Sequence, residues 1–232
     1  MAKSFFITGT DTGVGKTFVA AAFLNAAGQQ GYSTAAIKPL AAGCGMTEEG
    51  LRNDDALLLQ KAMTSRLPYQ QVNPVTLEEP IAPHIAAARA GKNVTVSRLA
   101  GFCRGVMMQP CDLVLVEGAG GWRVPVNSSE TLADLARELG LGVVLVVGMR
   151  LGCINHALLT AEAIARDGVA VAGWVANSCA EQAMPYQREN IQTLRQWLPF
   201  PCLGEIPFLL QRSPVAAASF VDVGGLLGET AR

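Results

Sequence analysis

The chain has 232 residues, half of them hydrophobic and 16% charged, with 18 Lys and Arg against 19 Asp and Glu. That balance excludes an intrinsically disordered chain and lacks the basic excess of a general nucleic-acid binder. No long apolar run occurs and MAKSFFITG passes directly into a strand pattern, so neither a membrane span nor a signal peptide is expected.

The first predicted strand is KSFFITG (3–9). A helix follows over GKTFVAAAFLNAAGQQG (15–31), in which Val19, Phe23 and Ala27 share a face and Gly31 ends the pattern. STAAIKP (33–39) is the next strand, closed by Pro39. An irregular stretch, LAAGCGMTEEGLRN (40–53), leads to a helix over DDALLLQKA (54–62). A helix over VSRLAGFCRGVMMQ (96–109) precedes the apolar strand CDLVLVEG (111–118). LGVVLVVG (141–148), VAVAGWVANS (169–178) and CLGEIP (202–207) are further strands, and the Gly-rich tail VDVGGLLGETAR (221–232) is expected to fray.

Continuous Val, Ile and Leu runs belong to strands covered on both faces. Their alternation with helices predicts an α/β fold: one doubly wound, mainly parallel sheet with helices on both faces. No repeat, low-complexity tract or linker breaks the pattern, so a single domain over residues 1–232 is expected. The six cysteines (44, 103, 111, 153, 179, 202) have no CxxC or Cys/His ligand spacing. Free thiols in a reducing cytoplasm are expected, with no structural zinc or iron–sulfur cluster.

The segment TGTDTGVGKT lies between a strand and a helix, the place of a P-loop, which makes the fold P-loop NTPase-like. Gly13 and Gly15 allow the backbone to approach phosphate oxygens, and the amides of residues 13–18 with the helix start form an anion cradle. Lys16 is placed to reach the β- and γ-phosphates and Thr17 to ligate Mg²⁺, which predicts an ATP-using enzyme. The strict pattern wants glycine at position 10, which is Thr10; the leading glycine, Gly9, comes one residue early. Partition and iron-protein-type ATPases carry a signature lysine where this chain has Asp11, so a lysine reaching into a partner's nucleotide site is not expected.

A P-loop needs carboxylates at neighbouring strand ends to hold Mg²⁺. Glu117 closes a strand at the Walker-B position, with EGAGG behind it. Asp54 and Asp55 open a helix; one of them is expected to cap it, and spacing alone does not choose which one faces the metal. Lys38 ends a strand at the ligand-binding edge, either a surface charge or a second cation for a phosphoryl transition state. Asn177 suits either a turn or a base edge. His84 and His156 have no triad partners and read as structural.

The segments FITGTDTGVGKT (6–17), KPLAAG (38–43), EGLRNDDALLLQ (49–60), VNPVTLEEPIAPH (72–84), LVEGAGGW (115–122), VVGMRLGCINHALLTAEAI (146–164), GWVAN (173–177) and LGEIP (203–207) run in order over nearly the whole chain. Together they resemble the dethiobiotin synthetase family. That resemblance implies a ligase of biotin synthesis, at its penultimate step, in which ATP, CO₂ and 7,8-diaminopelargonate (7,8-diaminononanoate) give dethiobiotin, ADP and phosphate. One amine captures CO₂ as a carbamate, the carbamate takes the γ-phosphoryl group, and the neighbouring amine closes the ring.

The resemblance also implies Mg²⁺ held by Thr17, Asp55 and Glu117, choosing Asp55 over Asp54, and a catalytic Lys38 acting with Lys16. It places Gly13, Val14, Gly15, Lys16, Thr17, Phe18, Asp55, Glu117, Gly118, Ala119 and Gly120 on the phosphate side of ATP, and Asn177, Ile206, Pro207 and Phe208 on the base side. Substrate falls to Thr12, Lys38 and Ala42, and its carboxylate to the helix start at Gly152, Cys153, Ile154 and Asn155. In the family that last contact comes from the partner subunit, which implies a homodimer with sites at the interface. Many relatives have KPVASG; here Ala42 stands in place of the serine that contacts substrate. An amidating enzyme would need a glutaminase domain, for which this chain leaves no residues.

Overall fold

A computed structural model describes residues 2–228. Six strands form the central sheet: β1 (Lys3–Gly9), β2 (Thr34–Ile37), β3 (Leu113–Glu117), β4 (Gly142–Gly148), β5 (Val171–Asn177) and β6 (Cys202–Ile206). Their order is β6-β5-β4-β1-β3-β2 and every pairing is parallel. The longer helices are α1 (Lys16–Gln29), α2 (Asp54–Ala62), α3 (Val96–Met107), α4 (Leu132–Leu139), α5 (Cys153–Arg166) and α6 (Gln187–Trp197).

The apolar runs are continuous because both faces of the sheet are covered. In β4, Val144 and Val146 pack into the larger core with Phe6, Phe23 and Leu115. The alternate residues Leu145 and Val147 join Trp174, Ala157 and Leu194 in a second core under α5 and α6. Thus one strand feeds two hydrophobic layers. Phe23 is fully buried on α1, so truncating it to alanine would cost about 3–5 kcal/mol.

β1 sits in the middle, with Phe5 opposite Leu115 of β3 on one side and Gly142 of β4 on the other. The chain builds β2 and β3 to one side of β1 and β4, β5 and β6 to the other. The carboxyl end of β1 is therefore the switch point, where open α/β sheets bind ligands.

Two expectations are corrected. Residues 40–53 are not wholly irregular: Leu40–Ala41 pairs in parallel with Val75–Thr76, and Gly45–Thr47 forms an antiparallel hairpin with Gly50–Arg52. The tail is anchored at 223–227, a short helix capped by the Asp222 side chain with Val223, Leu226 and Leu227 buried; residues 229–232 of the predicted fraying segment lie outside the described residues. The six cysteines are free thiols, three buried and three half-buried. Among the described residues, no helix is long and apolar enough to cross a membrane.

Candidate active site

The phosphate loop leaves the buried end of β1, and the displaced glycine has a steric reason. A Cβ at Gly9 would stand 2.6 Å from the Val14 side chain. Thr10 still belongs to the sheet edge, its N–H donating to the Val146 carbonyl at 3.0 Å. The tight residue is thus Gly9, and position 10 needs no glycine. At Gly15, φ is +85°, and a Cβ would meet the Asn177 amide at 2.2 Å. Lys16 and Thr17 open α1 and are both buried; the Lys16 ammonium donates to the Asp11 carbonyl at 3.0 Å. Asp11 itself pairs with Arg150 on the loop before α5.

Opposite the loop, the ends of β2 and β3 and the first turn of α2 bring three side chains together. Glu117 Oε1 accepts from Thr17 Oγ1 at 2.7 Å and from Lys38 Nζ at 2.7 Å. Lys38 also meets Asp55 Oδ2 at 3.0 Å. Glu117 is 1% exposed, and its Oε2 has no hydrogen-bond partner among the described residues. Burial alone would push the Lys38 ammonium down, but Glu117 and Asp55 hold it above the ordinary lysine range. Burial wins at Lys16, which lies below that range despite the attraction of Glu117. Asp55 lies below the usual carboxylate value because Lys38, with help from Thr17 and Lys16, outweighs desolvation.

The expectation that Asp54 or Asp55 caps α2 is corrected. Asn53 is the cap, its side chain accepting from the Ala56 N–H at 3.3 Å. Both aspartates instead sit in the first turn, where the helix dipole favours negative charge, and Asp55 is thereby left available to face Lys38.

These groups line a cavity of about 850 Å³. Of the sequence-derived residues, Thr12, Gly13, Gly15, Lys16, Thr17, Phe18, Lys38, Ala42, Asp55, Glu117, Ala119 and Gly120 face it. Val14 and Gly118 lie behind it: the Val14 carbonyl accepts from Asn177 Nδ2 at 2.9 Å, and a Cβ on Gly118 would press on the Phe6 ring at 3.0 Å. A small recess of about 20 Å³ adjoins the loop, lined by Gly15, Phe18, Asn177, Pro207 and Phe208. Ile206 turns into the main core instead. Asn177 Oδ1 is buried with no partner among the described residues, an acceptor waiting beside that recess.

A family model described as an AAA domain matches residues 3–216. The ATP-dependent dethiobiotin synthetase of Cellvibrio japonicus is 58% identical over 225 residues, 97% of this chain and 98% of that protein. The enzyme of the same name from Marinobacter nauticus is 58% identical over 210 residues, 90% of each chain. The chain belongs to the dethiobiotin synthetase family. Among solved structures, the ParA family ATPase of Chlorobium tepidum has a TM-score of 0.55 at 14% identity, covering 99% of this chain and 95% of that one. The septum site-determining protein MinD of Pyrococcus horikoshii, complexed with Mg-ADP, has a TM-score of 0.53 at 16% identity, covering 99% and 90%. At such identities the likeness establishes the mainly parallel P-loop fold and nothing finer.

Two groups of residues complete the picture of this dethiobiotin synthetase family member. Gly152–Asn155 open α5 outside the cavity lining: Cys153 is buried, Ile154 half-buried and Asn155 exposed. Conversely, the cavity takes in residues not singled out from the sequence. Leu58, Pro80, Ile81, Pro83 and Val124 form an apolar wall, and Arg123 and Arg212 stand at the rim. Arg212 also lies 5.9 Å above the Phe208 ring and donates to the Cys179 carbonyl at 2.8 Å. A lone arginine in a loop gives no spacing signal, and the proline-rich stretch entered only as part of the VNPVTLEEPIAPH segment, with no site role.

Proposed function

We propose that this member of the dethiobiotin synthetase family carboxylates 7,8-diaminopelargonate with CO₂ and closes its ureido ring at the expense of ATP. The observation that carries the reading is the meeting of Lys16, Thr17, Lys38, Asp55 and Glu117 at one cavity whose lining also includes Leu58, Ile81 and Val124. Charged groups suit phosphoryl transfer, and the wall of Leu58, Ile81 and Val124 suits a methylene chain.

One substrate amine attacks CO₂ and loses a proton, giving a carbamate. Its oxygen displaces ADP from the γ-phosphorus, giving a carbamic–phosphoric anhydride. The second amine then attacks the carbonyl carbon, phosphate leaves, and the ring closes. Lys38 and Lys16 are assigned to the negative charge of the carbamate and of the transferring phosphoryl group. Lys38 is assigned the part of a cation, its ammonium set between the Glu117 and Asp55 carboxylates. Thr12 and Ala42, on the cavity surface, are assigned to the substrate side.

Thr17, Asp55 and Glu117 are assigned to Mg²⁺. The unpartnered Glu117 Oε2 and the oxygens gathered beside it fit a hard cation that completes its shell with phosphate and water. When bound, Mg²⁺ neutralises charge between the β- and γ-phosphates. Asn177 Oδ1 is assigned to an amino group of the base, with Pro207 and Phe208 beside it.

The helix start at Gly152–Asn155 offers backbone amides to the substrate carboxylate of a neighbouring subunit, so the active species is taken as a homodimer. Residues 1–232 act as one domain, and the enzyme works in the cytoplasm. The test is ADP release with diamine and bicarbonate varied independently. Release is expected only with both present, and Lys38→Ala is expected to lower it at least about tenfold. Turnover indifferent to bicarbonate, or equal without the diamine, would overturn the reading.

A further inference from the structure

Three buried polar side chains outside the cavity connect the two strongest elements of the site. The Lys38 carbonyl accepts from Asn73 Nδ2 at 2.7 Å, while its N–H donates to the Val72 carbonyl at 2.8 Å. Asn73 Oδ1 accepts from the Tyr69 hydroxyl at 2.9 Å. That same hydroxyl accepts from the Asn53 N–H at 2.7 Å. Asn53 in turn caps α2, the helix whose second residue, Asp55, returns to Lys38 Nζ at 3.0 Å. The path is a closed ring: Lys38 side chain, Asp55, α2, Asn53, Tyr69, Asn73, Lys38 main chain.

Asn53, Tyr69 and Asn73 are 8%, 7% and 2% exposed, and none lines the cavity. Arg52 covers the outside of the ring, its guanidinium 4.2 Å from the Tyr69 ring centre. Packing alone would be met by apolar side chains of similar size. Their polarity instead sets direction, because each hydrogen bond accepts one geometry and a satisfied buried network has few alternatives.

We infer that Tyr69, Asn73 and Asn53 are positioning residues that hold Lys38 and Asp55 at one separation. They keep the cation of β2's end and the metal-facing carboxylate of α2 in register before nucleotide arrives. This rests on the roles proposed above for those two residues. Outer partners of this kind typically change metal affinity or activity by tenfold to a hundredfold.

Tyr69→Phe tests it, because it keeps the ring and the Arg52 contact and deletes only the hydroxyl. Two quantities are measured at 25 °C: turnover, and Mn²⁺ binding to the ATP-loaded protein by electron paramagnetic resonance without diamine. The expectation is a kcat about tenfold lower with diamine KM within about twofold, and Mn²⁺ affinity about fivefold weaker. On Mn²⁺ affinity, Tyr69→Phe added to Asp55→Asn should lose nothing more than Asp55→Asn alone, since the hydroxyl reaches the metal through Asp55. Wild-type Mn²⁺ affinity and kcat in Tyr69→Phe, or losses that multiply in the double variant, would overturn the inference. If Tyr69→Phe does not fold, Asn73→Ala breaks the ring at its other end and is read by the same two measurements. A wild type lacking diamine-dependent turnover while Tyr69→Phe still weakens Mn²⁺ binding would sink the proposed reaction and leave the positioning role standing.

Discussion

Replacing Glu117 with glutamine removes one charge from the centre of the site while keeping its shape. The Lys38–Glu117 contact is 2.7 Å long between side chains 6% and 1% exposed. Coulomb's law at an effective dielectric near 20 makes that attraction about 6 kcal/mol. Lys38 keeps Asp55 at 3.0 Å, but that side chain is 51% exposed and screens poorly as a sole partner. Glutamine is spared the desolvation that the buried carboxylate incurs, which offsets part of that attraction and leaves a cost of about 3–5 kcal/mol, the usual range for stranding one member of a buried pair. For a chain of this size that lowers Tm by about 6–20 °C. The sharper expectation concerns the second step. Adding Lys38→Met to Glu117→Gln removes the stranded charge, so the double variant should be more stable than Glu117→Gln alone and lie within about 2 kcal/mol of wild type. Urea unfolding at pH 7 without nucleotide or metal measures all three. A single-variant loss below about 1 kcal/mol, or a double variant less stable than either single one, would refute the electrostatic account of this cluster.

Gly15→Ala forces a Cβ into the Asn177 amide at a backbone φ of +85°, so strain of about 1–3 kcal/mol should weaken nucleotide binding roughly tenfold to a hundredfold, seen by nucleotide titration. Ala42→Ser puts a hydroxyl on the cavity wall; one added hydrogen bond of about 0.5–1.5 kcal/mol should lower diamine KM about two- to tenfold. Burial raises the Cys103 thiol from 9.0 to about 12. The folded state then holds a proton that the unfolded chain releases, so stability is complete below pH 9 and falls by up to about 1.4 kcal/mol per pH unit as pH rises toward 12. Cys103→Ala should flatten that alkaline slope by up to one proton, whatever its effect on stability at pH 7, as read by urea midpoints at successive pH values.

The sheet was legible because strands buried on both faces are written as unbroken apolar runs, and β3, β4 and β5 were placed within two residues of their ends. The hairpin at Gly45–Arg52 was not, since its first strand is exposed throughout and shows no apolar alternation. α4 did carry a signal, the capping box of Thr131 and Asp134, but with Asp in place of the commoner Glu and a short helix behind it the pattern passes for a loop. At the site, motif spacing reached Lys16, Thr17 and Glu117 because each ends a strand or opens a helix, and left Lys38 between a surface charge and a second cation. Asp55 needed the family resemblance, and what sets it apart from Asp54, its contact with Lys38, exists only in the folded chain. Arg123, Arg212 and the Pro80–Pro83 wall come from separate loops, so only the folded chain brings them to one cavity.

The central place of β1 has a thermal consequence. Phe6 and Ile7 are at most 1% exposed and paired to strands on both sides, so their amides should exchange with solvent only when the whole molecule unfolds. The hairpin that leads into α2 is open to water and paired only with itself. On warming, that hairpin should therefore loosen while the phosphate cradle is still intact. Its grip on phosphate would then outlast the order of the chain that leads into α2.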